Sequence, residues 1–295
     1  MSPPLASHRL LSLFSAALLS LLALPSALAL PSQVGQTFDG AVGTTAGLAV
    51  SDDGMLVALA GSVGLSITDL RVPGEGGQIS SSCADTGARD VVFVDSAIYG
   101  ERFYVVCSAG GVEYVDLDRS TYPVGLSSSE KITVGSDGGS PSFLVSAPGD
   151  SAVFVVSQED GVYSIHSVGH SLTGGEAEAL LLEFSGTAVA ASVSGTGTPL
   201  MVARSDGFLT ELERSGDTYI GSTTVPFTPL GTLEAVLSSA NFASSFVADF
   251  SGDEVWQIVQ GSTTAVPFGL DFTAPMDLAE VIDEDDANKR NIAGL

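Results

Sequence analysis

Lysine is almost missing from this chain. Lys131 and Lys289 are the only two, and Lys plus Arg number 10 against 35 acids, a formal charge of -25 at pH 7 over 295 residues. Such a chain repels polyphosphate. Nucleic acid is therefore excluded as a partner, because affinity there needs clustered Lys and Arg. The acidic balance reads as a solubilising coat, or as adaptation to a salty exterior where screening tames self-repulsion. Histidine is scarce as well. Apart from His8 near the start there are only His166 and His170, whose spacing would suit a metal on a helix. Their segment reads as strand and loop, so they are expected to be surface loop histidines. No G-x-S-x-G elbow occurs, and no Cys has a matching His nearby, so no nucleophile-and-base pair is legible. The Gly-rich stretches GSDGGSPS (135–142) and SGTGTP (194–199) lack the Lys-Ser/Thr ending and following helix of a phosphate cradle, and read as turns. Trp256 is the lone tryptophan. It falls in an apolar strand, where core packing is expected of it.

Long apolar runs are absent after residue 30, which excludes a later transmembrane helix. Before that point the pattern is different. Arg9 precedes LLSLFSAALLSLLAL (10–24), Pro25 breaks the run, and ALA (27–29) offers small residues for cleavage. That is the layout of a secretory signal peptide over residues 1–29. A membrane anchor is the rival reading, since 10–30 is about long enough to span, but Pro25 and the small-residue exit favour cleavage. No Cys follows the run, so lipidation there is excluded. The expected location is secreted, periplasmic or cell-surface, with no stable membrane span after cleavage.

What is present is repetition. FYVVCSAGGVEYVDL (103–117) is two strands around a Gly-Gly turn, yet apolar at nearly every residue, whereas a hairpin with one wet face should alternate. Four more hairpins of this kind end at Leu70, Ser167, Glu213 and Val259. The second strands begin at or just after Gly64, Gly111, Gly161, Gly207 and Glu254, at spacings of 47, 50, 46 and 47. Each hairpin is prefaced by a short strand such as GLAV, DVVFV, SFLVS, AVAASV or EAVLSS. Each is followed by a looser one: GQISSS, KITVG, EALLLEF, TYIGSTTV, TTAVPF. Four strands in about 47 residues is the signature of a β-propeller blade. A β-sandwich also has many short strands but predicts no such period. In a propeller, neighbouring blades cover both faces of the middle strands, which removes the need for alternation. TLEAVLSSANFA (232–243) has weak helical spacing, but its place in the repeat makes it an inner strand.

The expected fold is therefore all-β: a propeller of four-stranded blades over 46–295, with blades at 46–82, 88–135, 140–185, 187–224 and 233–267 and a partial sixth at 275–295. Residues 30–45, with QVGQTFDGAV at 33–42, offer a possible closing strand. The unfinished sixth unit suggests a truncated propeller, or an open arc completed by a partner. Cys83 and Cys107 are the only cysteines, and adjacent antiparallel strands place them at one end of the disc. They form a disulfide candidate, with a buried free thiol as the alternative. The densest acidic run is DLAEVIDEDD (277–286). Asp283, Asp285, Asp286 and Asn288 offer oxygen ligands to Ca²⁺, but Ala287 breaks the ligand pattern and no Gly follows, so a solvated acidic turn is the better reading.

The hairpins resemble the YVTN-type propeller repeats, relatives of the lactonase-like and NHL propellers. The resemblance rests on FYVVCSAGGVEYVDL, VFVVSQEDGVYSI and SFVADFSGDEVWQI, with Asp116 at the family's final acid and Val255 to Ile258 in its second strand. The family's Thr-Asn is replaced by Val106-Cys107 and Ala248-Asp249. The resemblance implies the fold and an exported location. It does not carry an activity, because such propellers host many functions. The expected function is a non-enzymatic propeller whose loops bind a protein or glycan, needing no cofactor. The alternatives are a lactonase-like periplasmic hydrolase and a structural module of a larger surface protein.

Overall fold

The computed structural model describes residues 43–294 apart from 73–76, 81, 97–98, 129–131, 133, 135–139, 147–152, 169–178, 194–199, 216–217, 226–232, 240–243, 250–251, 260–261, 263, 269–277 and 284–285. Five antiparallel four-stranded sheets and one two-stranded sheet account for the strands, and no helix occurs among the described residues. The first sheet holds β1 (Thr45–Val50), β2 (Leu56–Gly61), β3 (Gly64–Asp69) and β4 (Gln78–Ile79). The second holds β5 (Ala88–Ser96), β6 (Gly100–Cys107), β7 (Val112–Asp118) and β8 (Gly125–Ser128). The third holds β9 (Ser140–Ser146), β10 (Val153–Glu159), β11 (Val162–Val168) and β12 (Ala179–Ser185). The fourth holds β13 (Ala188–Val193), β14 (Leu200–Arg204), β15 (Leu209–Ser215) and β16 (Thr218–Val225). The fifth holds β17 (Leu233–Ser239), β18 (Ser244–Asp249), β19 (Glu254–Val259) and β20 (Ala265–Pro267). A hairpin of β21 (Leu278–Asp283) and β22 (Asp286–Gly294) follows.

The all-apolar hairpin is explained by packing between sheets. Phe103, Val105 and Cys107 of β6 join Leu56, Ala58, Leu65 and Ile67 of the first sheet in one core. Tyr104 and Val106, the alternate residues of the same strand, join Leu144, Val153 and Val155 of the third sheet in another. Phe154 and Ile165 then meet Leu200 and Leu212, and Met201 and Leu209 meet Val247 and Ile258. The hydrophobic core is thus a series of slabs, one per pair of sheets. The first strands touch in succession: β1 against β5, β5 against β9, β9 against β13, β13 against β17, and β17 against β21. They form the inner wall of a β-propeller.

Local turn chemistry closes the hairpins. β10 and β11 are joined by Asp160 and Gly161, both at positive φ (46° and 78°), the two-residue geometry that matches strand twist and favours Asp-Gly. Within TLEAVLSSANFA, Leu233–Ser239 form β17 rather than a helix. The outer strand of the second sheet departs from expectation. The sequence pattern points to KITVG, but β8 lies earlier, at Gly125–Ser128, and Ile132 adds only an isolated bridge to Val112. The edge of β7 is shared: its C-terminal half pairs with β8, where Leu126 packs on one slab, and Val112 pairs with Ile132, which packs on the other.

Candidate functional site

Innermost strands present an unpaired edge to the channel, and the N–H groups there need acceptors. Side chains of the preceding blade provide them. Asp90 in β5 accepts from Leu144 N of β9 with one carboxylate oxygen (2.8 Å) and from its neighbour Val91 N with the other (2.8 Å). Ser192 Oγ in β13 accepts from Ser238 N of β17 at 2.9 Å. Ser146 Oγ donates to the Phe93 carbonyl. Gly47 of β1 passes so close to β5 that a Cβ there would lie 3.0 Å from the Asp90 Cα.

Burial pushes the Asp90 carboxyl above the ordinary carboxylate range, against the pull of its two N–H donors. A raised folded value means a contribution fully present below the unfolded pKa and lost as pH rises through the folded one. Asp90→Ala is expected to cost about 1–3 kcal/mol at neutral pH, because Leu144 N loses its acceptor. Against Asp90→Asn, which does not titrate, the wild type should gain relative stability as pH falls from neutrality toward the unfolded value. Urea unfolding of both proteins across this range checks the sign, and a wild type that loses stability relative to Asp90→Asn on acidification would overturn the assignment.

Each of the five complete inner strands carries a β-bulge near its start, after the first paired residue in four of them and after the second, Pro141, in β9. The extra residues are Ala46, Arg89, Ser142, Val189 and Glu234. Bulges re-aim side chains and gather at functional rims, so these five mark one mouth of the channel. The charged residues on these five strands are Arg89, Asp90, Asp95 and Glu234. Further along β1 and β5 lies a cavity of about 250 Å³ whose lining includes Leu48, Val50, Asp52, Val92, Phe93 and Ser146. It is an apolar recess with a carboxylate at its edge, suited to holding an apolar group beside a cation.

Polar ties join the first two blades. The Asp69 carboxylate accepts from Arg71 Nε and Nη2 (2.8 and 2.7 Å), from Arg71 N, and from Val124 N across the blade boundary at 3.0 Å. Arg119 pairs with Glu101 of its own blade and Asp53 of the first. Arg102 lies over the rings of Tyr99 and Tyr114 and pairs with Asp116, the acid that matched the family pattern.

Cys83 and Cys107 are disulfide-bonded with Cα atoms 5.1 Å apart, and Glu113 accepts from Cys83 N. These three form the one metal-ligand-like group among the described residues, but both sulfurs are taken up in the bridge. Asp283 and Asp286 are backbone partners where β21 turns into β22, and Asn288 lies within β22. Asp285 lies outside the described residues. His166 is not on a surface loop. It is buried within β11, opposite Val155, with Nε2 at 3.0 Å from Ser164 Oγ. A polar residue in a strand enclosed by two blades goes inside with the strand, which the local sequence HSVGH conceals. His170 lies outside the described residues. Trp256 packs on the slab between the fourth and fifth sheets. The bulges and the Asp90 tie were missed from sequence, although an acid opening the run DVVFV was a usable signal.

No protein-family model matches the chain, and no curated protein matches it. Solved structures do resemble it. The β-propeller domain of Cps50 (Swd1) from Myceliophteria thermophila superposes with a TM-score of 0.56 at 11% identity, covering 85% of this chain and 84% of that one. Hydrazine synthase of Kuenenia stuttgartiensis gives 0.57 at 11% identity, over 85% and 83%. Sqt1 from Chaetomium thermophilum gives 0.61 at 12% identity, over 82% of this chain and 64% of that one. At such identities the likeness shows the fold alone.

Proposed function

We propose that the chain is an exported, non-enzymatic, YVTN-like β-propeller that holds protein partners on its turns and channel mouths. One observation carries this reading: the middle strands bury both faces between blades, so turns and channel are what a partner can recognise. Asp90 is engaged by two backbone N–H groups, which favours a structural over a hydrolytic role for this carboxylate. Export is supported by the apolar run at 10–24 and by the disulfide, which suits an oxidising compartment.

The test is crosslinking in the producing cell. A photoreactive residue at Asp160 or Asp253, in hairpin turns at one end of the disc, should capture polypeptide on the exported side of the membrane. The same residue at Val266, on an outer strand, should not. Equal capture at all three positions, or a chain retained inside the cell, would overturn the reading. A carbohydrate adduct would shift the partner class to glycan.

A further inference from the structure

In the inner strands, the residues two and four places past the bulge face the preceding blade. Two places past it stand Val91, Leu144 and Val236, at 2%, 6% and 8% exposure, each in the slab shared with the blade before. Their counterpart in β1 is Leu48, which is 57% exposed, and Val50, four places past, is 43% exposed. The opening is narrow. Val57 and Leu59 in the adjacent β2 are only 4% and 3% exposed, so that flank is covered one strand further out. Among the described residues, what remains is a slot one strand wide along β1, leading into the cavity with Val92 and Phe93.

Charge marks the same region. Six places past the bulge stand Asp52 in the first blade and Asp95 in the second, both exposed. Neither makes an ion pair with another described residue. No Lys or Arg lines the cavity, and the chain as a whole carries -25. These exposed carboxylates attract a cationic occupant and repel an anionic one.

We propose that this slot is a docking site for an extended segment of a protein partner, with an apolar side chain seated on Leu48 and Val50 and flanking Lys or Arg residues at Asp52 and Asp95. The proposal rests on the protein-binding reading above and names the partner's chemistry. A strand-like segment fits because the open face is one strand in width, and β1 is six residues long, about 20 Å at the usual rise.

The test uses the full exported chain and three labelled tripeptide amides: Lys-Phe-Lys, Glu-Phe-Glu and Lys-Gly-Lys. Fluorescence anisotropy should show binding of Lys-Phe-Lys alone, weakening as salt is raised. The double variant Asp52→Asn, Asp95→Asn should weaken it about tenfold, in line with two exposed ion pairs. Leu48→Glu should abolish it while leaving the melting temperature unchanged, since the side chain is mostly exposed. Binding that ignores peptide charge, survives Leu48→Glu or is absent for all three peptides overturns the proposal. So does a dimer that Leu48→Glu converts to monomer, which would make a second copy the occupant. Turn crosslinks obtained together with absent peptide binding would leave the protein-scaffold reading standing and remove this site alone.

Discussion

Replacing Cys83 and Cys107 together by alanine should lower the unfolding free energy by about 3.5 kcal/mol, the chain-entropy value for a loop of this size. The bridged residues are 24 apart in sequence. For a domain of this length that corresponds to a fall of roughly 10 °C in melting temperature. Alanine is the right replacement because both residues are buried, at 4% and 3% exposure, and a serine hydroxyl would need a partner there. The local backbone already favours the approach. Cys83 adopts positive φ (56°), and its carbonyl accepts from Thr86 N and Gly87 N, turning the connection toward β5. Calorimetry of the double variant checks the figure. A loss below about 1 kcal/mol would mean that the bridge adds little to what the turn already fixes.

Asp69→Ala should cost about 3 kcal/mol, at the lower end for breaking a buried pair. The side chain is 1% exposed and its partner Arg71 is 19% exposed. Removing the carboxylate leaves Arg71 without its two-pronged acceptor and deprives Val124 N, in a residue 1% exposed, of its acceptor across the blade boundary. Asp69→Asn should cost less, since an amide oxygen still accepts one of these bonds. The hydrogen bonds from Arg71, opposed by burial and aided by the Arg71 and Val124 N–H groups, hold this carboxyl below its usual range. A depressed folded value gives stability that is present above the unfolded pKa and lost as pH falls through the folded one. The wild-type advantage over Asp69→Asn should therefore shrink in acid, the opposite trend to Asp90. Chemical denaturation of both asparagine variants over one pH series separates the two. Parallel trends would show that one of the two environments is misassigned.

The sequence exposed what is local and kept back what is not. A hairpin such as β10–β11 declares itself within fifteen residues, through two apolar runs and an Asp-Gly turn with the required backbone freedom. The even apolar character of β6 disclosed that both its faces are covered. The period near 47 then fixed what covers them. The ties that shape the channel and the blade boundary join residues far apart: Asp90 to Leu144, Ser192 to Ser238, Asp53 to Arg119. No local pattern encodes them, because they depend on how one sheet is set against the next. His166 shows the same limit, since neighbouring sheets and not its own loop-like surroundings decide its burial. The bulges escaped notice for a different reason. Their extra residues are Ala, Arg, Ser, Val and Glu, with no shared chemistry, so only pairing register reveals them.

The slab arrangement also governs how substitutions combine. Phe103 and Tyr104 are adjacent in the chain but belong to different slabs, one shared with the first sheet and one with the third. Damage at one should add to damage at the other with little coupling, whereas Phe103 and Leu56, 47 positions apart, should show a large interaction energy in a double-mutant cycle. Distance along the backbone is a poor guide to mutational epistasis in this molecule, and the parity of a residue within its strand is a better one.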